Sequence, residues 1–407
     1  MKVIEGGITA AKGFKAASCE ANIKYAGRRD MAMICSDVPA VCAGTYTSNV
    51  VKAACVQWDM EITKSGRPMQ AVVVNSGIAN ACTGEEGFEA CKKTAKAVEA
   101  ALNIPFDSVA VASTGVIGMQ LPVDKLVSGV EKMSKELDDS IAAGLDASKA
   151  IMTTDTVNKE IAVNFEIDGK TVTLGGMSKG SGMIHPNMCT MLGFLSTDLD
   201  ISKELLQEAL SAVIKDTFNM ITVDGDTSTN DTLLIMANGM AGNKKIESKD
   251  EDYKAFYDAL FYVCRFLARK MASDGEGATA LFECRIIGAK SKDDARTMAR
   301  AVVGSNLSKA AIYGHDANFG RFLCAMGYSG AEFDQNDVEL SFMSKAGEMK
   351  VFDHGTPLEF DEDKATKILS ENEVTVFVNM NEGNEEATAW GCDLTHKYVD
   401  INADYRS

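Results

Sequence analysis

Short apolar runs, each closed by a tight turn, alternate with amphipathic stretches along the chain, and this rhythm limits the fold more than any other feature. Residues 71–74 have the continuous apolar character of a buried strand and run into the turn-like Asn75-Ser76-Gly77. A strand over 108–112 stops in the same way at Ser113-Thr114-Gly115. Residues 160–167 and 170–174 read as strands joined by Asp168-Gly169, a dipeptide suited to a two-residue hairpin. A glycine-rich stretch over 175–182 follows, then an inner strand over 188–195. Helical patterns cover 88–102 and 122–137, the second with Pro122 in its first turn. Ser202 caps another, whose Leu205, Leu206, Ala209, Leu210, Val213 and Ile214 form one apolar face. A long helix over 250–271, a strand over 278–287 and a helix capped by Ser291, with Asp294 three residues on, come next. Strands over 338–342, 374–379 and 387–394 complete the pattern. Short strands joined by tight turns fit layered α/β (α+β) architecture with mixed sheets better than a doubly wound parallel sheet. We expect a main domain over 1–280 and a smaller C-terminal α/β domain over 281–407.

Composition narrows the function. Lys and Arg number 41 against 58 Asp and Glu, a net charge of −17, and no basic stripe carries interleaved aromatics. Such a chain repels phosphate backbones, so nucleic acid is not an expected partner. No apolar run reaches the roughly 18 residues of a membrane-spanning helix. The opening residues, Met1 to Gly7, lack the apolar core of a secretory signal, which leads us to expect a cytoplasmic protein. The eleven cysteines show no C-x-x-C pair and no zinc-ligand spacing. Cys35, Cys42, Cys264 and Cys324 lie in apolar stretches and are expected in the core.

The most unusual stretch is Gly176-Met177-Ser178-Lys179-Gly180-Ser181-Gly182-Met183-Ile184-His185-Pro186-Asn187-Met188-Cys189-Thr190. Gly176 to Gly180 match G-x-S-x-G, but a nucleophile elbow needs a helix directly after its serine. Gly180, Gly182 and Pro186 deny Ser178 that helix. Thr190 has a second reading. A threonine hydroxyl can attack the carbonyl of its own preceding peptide bond, and hydrolysis of the ester then exposes a new N-terminal threonine. Its α-amine would serve as base for its own hydroxyl. An amine of pKa about 7.7–8.0 is roughly 10–15% free base at pH 7, whereas an ordinary lysine is about one part in 2500. An electrostatic role suits Lys179 better. On the bare residues, an ordinary strand threonine is the better reading of Thr190.

This segment resembles the processing site of the ArgJ family, in which a lysine- and glycine-rich approach and a small residue precede the nucleophilic threonine. Further matches run in order along nearly the whole chain: residues 9–14, 36–40, 75–84, 151–156, 223–231 and 402–407. Cys189 stands where the family commonly has alanine, and Ala11 where it has proline.

The resemblance implies an ArgJ/DmpA-like sandwich that cleaves itself between Cys189 and Thr190. Acetyl would then pass from N-acetylornithine to glutamate through an acetyl-Thr190 intermediate, in the arginine pathway. It implies Thr114 and Gly115 as the oxyanion hole, and Thr153, Lys179, Thr190, Glu276, Asn402 and Ser407 as substrate contacts. It implies an α2β2 assembly of the cleaved chains and no cofactor, while leaving open acetyl-CoA as a co-substrate. Lys179 suits an α-carboxylate and Glu276 an ornithine ammonium. Glu276 could also be a helix-terminal surface carboxylate. For Ser407 to reach the site the tail must be tied down, and Val399 and Ile401 alternating into a sheet would do so. Water as acceptor, giving an aminopeptidase or amidase, and an unprocessed amino-acid-binding protein are the alternatives. Asp224, Asp226 and Asp231 invite a metal reading, but their spacing is not that of an EF-hand, and a hydrogen-bonded turn fits better. His185, His315, His354 and His396 share no ligand spacing.

Overall fold

The structure is a computed structural model that describes residues 1–185 and 191–403. The chain forms two compact units: residues 1–180, 187–215 and 227–267, and residues 181–186, 216–226 and 268–407.

The first unit is built on β1 (Lys2–Ile4), β2 (Phe14–Cys19), β3 (Met31–Tyr46), α1 (Ala54–Ser65), β4 (Met69–Ile78), α2 (Gly84–Leu102) and β5 (Val109–Val116). There follow α3 (Val123–Met133), α4 (Ile141–Ala150), β6 (Lys159–Ile167), β7 (Lys170–Lys179), β8 (Leu192–Thr197), α5 (Lys203–Val213) and β9 (Thr232–Ala237). Helix α6 (Glu251–Ser273) then carries the chain toward the second unit's main segment. The strands make a nine-stranded mixed sheet in the order β1-β6-β7-β8-β9-β3-β4-β5, with β2 on β3. Strand β3 belongs to two ladders. Met31 to Cys35 pair with β4, and Val41 to Tyr46 pair with β9. The register breaks between Cys35 and Ala40, where Pro39, which has no N–H to donate, is tolerated.

Strand β4 is apolar on both faces because both are covered. Ala71 and Val73 join one buried cluster with α1, α2 and α3 residues such as Val56, Val98 and Val130. Val72 and Val74 join a second with Phe194, Leu234 and Met236. Strand β5 is the outer strand, and α1 satisfies its outward backbone groups. Trp58 Nε1 donates to the Val109 carbonyl at 3.0 Å, and Asp59 Oδ1 accepts from the Val111 N–H at 2.8 Å.

The second unit contains β10 (Leu281–Ala289), α7 (Lys292–Gly304), α8 (Asn306–Tyr313), α9 (Phe319–Gly327), β11 (Glu339–Ser344), β12 (Gly347–Asp353) and β13 (Thr356–Pro357). It ends with α10 (Glu362–Leu369), β14 (Glu373–Asn379), β15 (Glu385–Cys392) and α11 (His396–Ala403). Its six-stranded sheet runs β13-β12-β11-β14-β10-β15. The layered α/β class is thus observed.

Short-range chemistry held. Asp168 (φ +49°) and Gly169 (φ +68°) turn the β6–β7 hairpin. Ser202 and Ser291 accept from the Leu205 and Asp294 N–H groups as caps. Several expectations are corrected. Asn75-Ser76-Gly77 and Ser113-Thr114-Gly115 are not turns; β4 and β5 run through them. The glycine-rich stretch begins as strand, since β7 continues to Lys179. Helix α2 starts at Gly84, and α3 covers only Val123–Met133. Residues 396–403 are helix, not sheet, and Val399 is exposed. Cys324 is exposed as well, whereas Cys35, Cys42 and Cys264 are buried.

Candidate functional site

In the first unit the end of β7 meets the end of β5. Lys179 Nζ donates to the Thr153 hydroxyl at 2.9 Å and the Thr114 hydroxyl at 3.2 Å. Three of the residues singled out in the sequence therefore come together. Beside them Asp155 is enclosed. Its Oδ1 accepts from Lys159 Nζ at 2.7 Å and from the Gly180 N–H at 2.6 Å, and its Oδ2 accepts from the Thr153 N–H at 3.1 Å. Lys179 Nζ stands 4.0 Å from Oδ2. Burial pushes the Asp155 carboxyl up, but the Lys179 and Lys159 charges and the Lys159 and Gly180 hydrogen bonds outweigh it, bringing the pKa to about 2. Two ammonium groups flanking one buried carboxylate make the position of Lys179 a property of the scaffold.

Gly115 is held by geometry that only glycine satisfies. It sits opposite Gly77 in the parallel β4–β5 ladder with φ +132°, and a Cβ there would lie 2.2 Å from the Gly77 carbonyl carbon. The ladder shifts register between Gly77 and Ile78, so both glycines serve a close backbone approach at a bulge. Polar bonds lock this end of β5: Ser113 Oγ donates to Asn75 Oδ1 at 2.7 Å, and Asn230 Nδ2 to the Ser113 carbonyl at 2.8 Å. Thr114 and Gly115 are half-buried, so a ligand can reach them.

Met191 lies beside β9. Its carbonyl accepts from the Thr232 N–H at 2.8 Å. Next to Thr232, Asp231 is buried, and its Oδ2 has no hydrogen-bond partner among the described residues. Burial drives that carboxyl well above the ordinary range, against Ser228, Thr47, the Lys179 charge and the Met191 N–H. Thr190 and Cys189 lie outside the described residues, as does Ser407.

In the second unit Glu276 and Asn402 form another pair. Asn402 Nδ2 donates to Glu276 Oε2 at 2.7 Å, and the Glu276 N–H donates to the Ser181 carbonyl at 2.9 Å. Glu276 is only 8% exposed, so it is not a surface carboxylate. Gly182 lies against it: a Cβ there would come within 2.3 Å of the Glu276 carboxyl carbon.

Ser178, the serine of the G-x-S-x-G match, is buried within β7 and paired with Gly193, with no helix directly after it. Sequence reasoning missed Asp155, Lys159, Asn75 and Asn230 as site-building residues. No local signal marked them: Asp155 and Lys159 are four apart but lie outside any helix, where that spacing does not by itself pair charges. The acidic trio is divided: Asp224 and Asp226 belong to the second unit and Asp231 to the first. Asp224 accepts from the Met183, Ile184 and Asp226 N–H groups, as a hydrogen-bonded turn requires.

The family model described as ArgJ family matches residues 15–407. The arginine biosynthesis bifunctional protein ArgJ of Symbiobacterium thermophilum is 51% identical over 409 aligned positions, covering 100% of both chains. Among solved structures, arginine biosynthesis bifunctional protein ArgJ from Bacillus halodurans is 45% identical, over 52% of this chain and 97% of that one, with a TM-score of 0.49. Ornithine acetyltransferase complexed with ornithine, from Mycobacterium tuberculosis, is 43% identical over 46% and 98%, with a TM-score of 0.43.

Proposed function

Since the chain belongs to the ArgJ family, we propose that it transfers acetyl from N2-acetyl-L-ornithine to L-glutamate in arginine biosynthesis, with Thr190 as the nucleophile. The Thr190 oxygen first attacks the Cys189 carbonyl carbon. As that ester forms, the peptide C–N bond breaks and the hydroxyl proton passes to the departing nitrogen. Water then cleaves the ester. In turnover the same oxygen attacks the acetyl carbonyl, the α-amine takes its proton, and ornithine leaves with that proton on its own amine. The glutamate amine next attacks acetyl-Thr190 and regenerates the free hydroxyl.

The observation that carries this reading is the Lys179–Thr114–Thr153 cluster beside Gly115. A positive charge and two hydroxyls meet beside the glycine end of β5, and donors of this kind are what charge developing on a carbonyl oxygen needs. Thr114 and Gly115 supply the oxyanion hole. Thr153, Lys179, Glu276, Asn402 and Ser407 hold substrate, with Lys179 facing a carboxylate. The side chains and the new amine supply the chemistry without a cofactor, and acetyl-CoA serves as a second acetyl donor. We place the cleaved chains in a cytoplasmic α2β2 assembly.

Intact mass and N-terminal sequencing of active protein test the nucleophile: a chain starting Thr190-Met191-Leu192-Gly193 is expected, and Thr190→Ala should abolish both cleavage and transfer. An uncleaved chain that still turns over would refute it. Assays with glutamate, with water alone, and with acetyl-CoA plus glutamate separate transfer from hydrolysis and test the second donor.

A further inference from the structure

Residues Ser181–His185 lie directly upstream of the proposed cut and belong to the second unit. Two of their backbone N–H groups point at one carboxylate: Met183 N donates to Asp224 Oδ2 at 2.6 Å, and Ile184 N to Oδ1 at 2.9 Å. The Ile184 carbonyl accepts from the Val223 N–H at 2.6 Å, which closes a short bridge beside Asp224. The Tyr398 hydroxyl donates to Oδ2 at 3.3 Å, and the Asp226 N–H to Oδ1 at 3.3 Å, so both oxygens are directed. Met183 has φ +54°, a conformation that side-chain-bearing residues rarely adopt. A bent segment of this kind persists only where its surroundings over-determine it. His185 is fixed on both ring nitrogens, Nδ1 with the Thr222 hydroxyl at 3.0 Å and Nε2 with Arg300 at 3.2 Å. The strap is thus pinned at Met183, Ile184 and His185, the last of them five positions before Thr190, and Asp224 alone holds two consecutive links.

We propose that Asp224 is a positioning residue for self-cleavage, fixing the path of the chain into the scissile Cys189–Thr190 bond. This rests on the cleavage reading above. It adds a residue whose part is played before the enzyme is mature: attack by a hydroxyl on its own preceding carbonyl needs a constrained backbone, and the clamp supplies the constraint on the upstream side.

The test uses the full chain, following loss of precursor by intact mass and stability by thermal melting. Asp224→Ala should slow cleavage at least tenfold, and Asp224→Asn, which keeps one acceptor, should slow it less, both with melting temperatures close to that of the uncleaved Thr190→Ala protein. Cleavage of Asp224→Ala within twofold of the wild-type rate overturns the proposal. So does equal slowing in both variants with equally depressed melting, which would mark a scaffold residue. If Asp224→Ala does not fold, Asp224→Asn decides, and a wild-type rate there is fatal. A wild-type chain that never cleaves refutes the underlying nucleophile reading instead, so the two failures are distinguishable.

Discussion

At Asp155 two lysines converge on one enclosed carboxylate, and its removal would leave both cations without it. Breaking a buried pair costs about 3–5 kcal/mol, so Asp155→Asn should lower unfolding free energy by about 3 kcal/mol in chemical denaturation. The same group sets an acid limit. Its folded pKa is depressed to about 2 from an ordinary 3.8, so its contribution is complete only well above 3.8 and fades as pH falls through that value toward 2. That shift corresponds to about 2 kcal/mol, and melting curves across this window should be flatter for Asp155→Asn than for wild type. Thr114 is the complementary case, because its hydroxyl faces Lys179 from a half-buried position. Thr114→Val keeps the shape and removes the donor, and should reduce kcat by roughly 10²–10³-fold with little change in melting. Unchanged kcat would remove Thr114 from the oxyanion hole.

Among the elements, β5 shows how a strand that presents the proposed oxyanion-hole residues is held at a sheet edge. Helix α1 satisfies it through Trp58 and Asp59, and the Asp59 carboxyl is buried with one oxygen unpartnered among the described residues. Burial drives that carboxyl well above the ordinary range, against the Val111 N–H. A raised folded pKa means that stability falls as pH climbs above the ordinary value of 3.8 toward the folded one. Asp59→Asn mimics the uncharged acid and keeps an acceptor for Val111, so it should match or exceed wild-type stability at neutral pH. Asp59→Ala strands the Val111 N–H and should cost about 1–3 kcal/mol; urea titration of both variants decides. Elements whose signals are local were legible in the sequence: the Asp168-Gly169 hairpin, the Ser202 and Ser291 caps, and the apolar face of α5. The ends of β4 and β5 were not, because the turn-like composition of 75–77 and 113–115 serves close pairing of Gly77 with Gly115. The 396–403 helix was misread because Val399 and Ile401 alternate in sequence although neither is buried. In the candidate site, family resemblance supplied Lys179, Thr114 and Thr153. Asp155 carries no role until folding brings Lys179 to it.

On the scale of the whole molecule, the ladders decide what a cut could do. Strand β7 precedes the proposed cut and β8 and β9 follow it, yet Leu174 to Lys179 pair with β8, and Val41 to Tyr46 of β3 pair with β9. Cutting before Thr190 would sever a connection and leave these pairings whole. Gel filtration under native conditions should therefore carry both fragments in one peak, and they should part only in denaturant, in the same transition that melts the sheet. Elution of separate native fragments would contradict this. The interleaved strand order β7-β8-β9-β3 thus makes the two products a single fabric woven from two threads: neither can be withdrawn without unravelling the other, so maturation is a one-way step that a loosened enzyme could not repeat by exchanging a spent half for a fresh one.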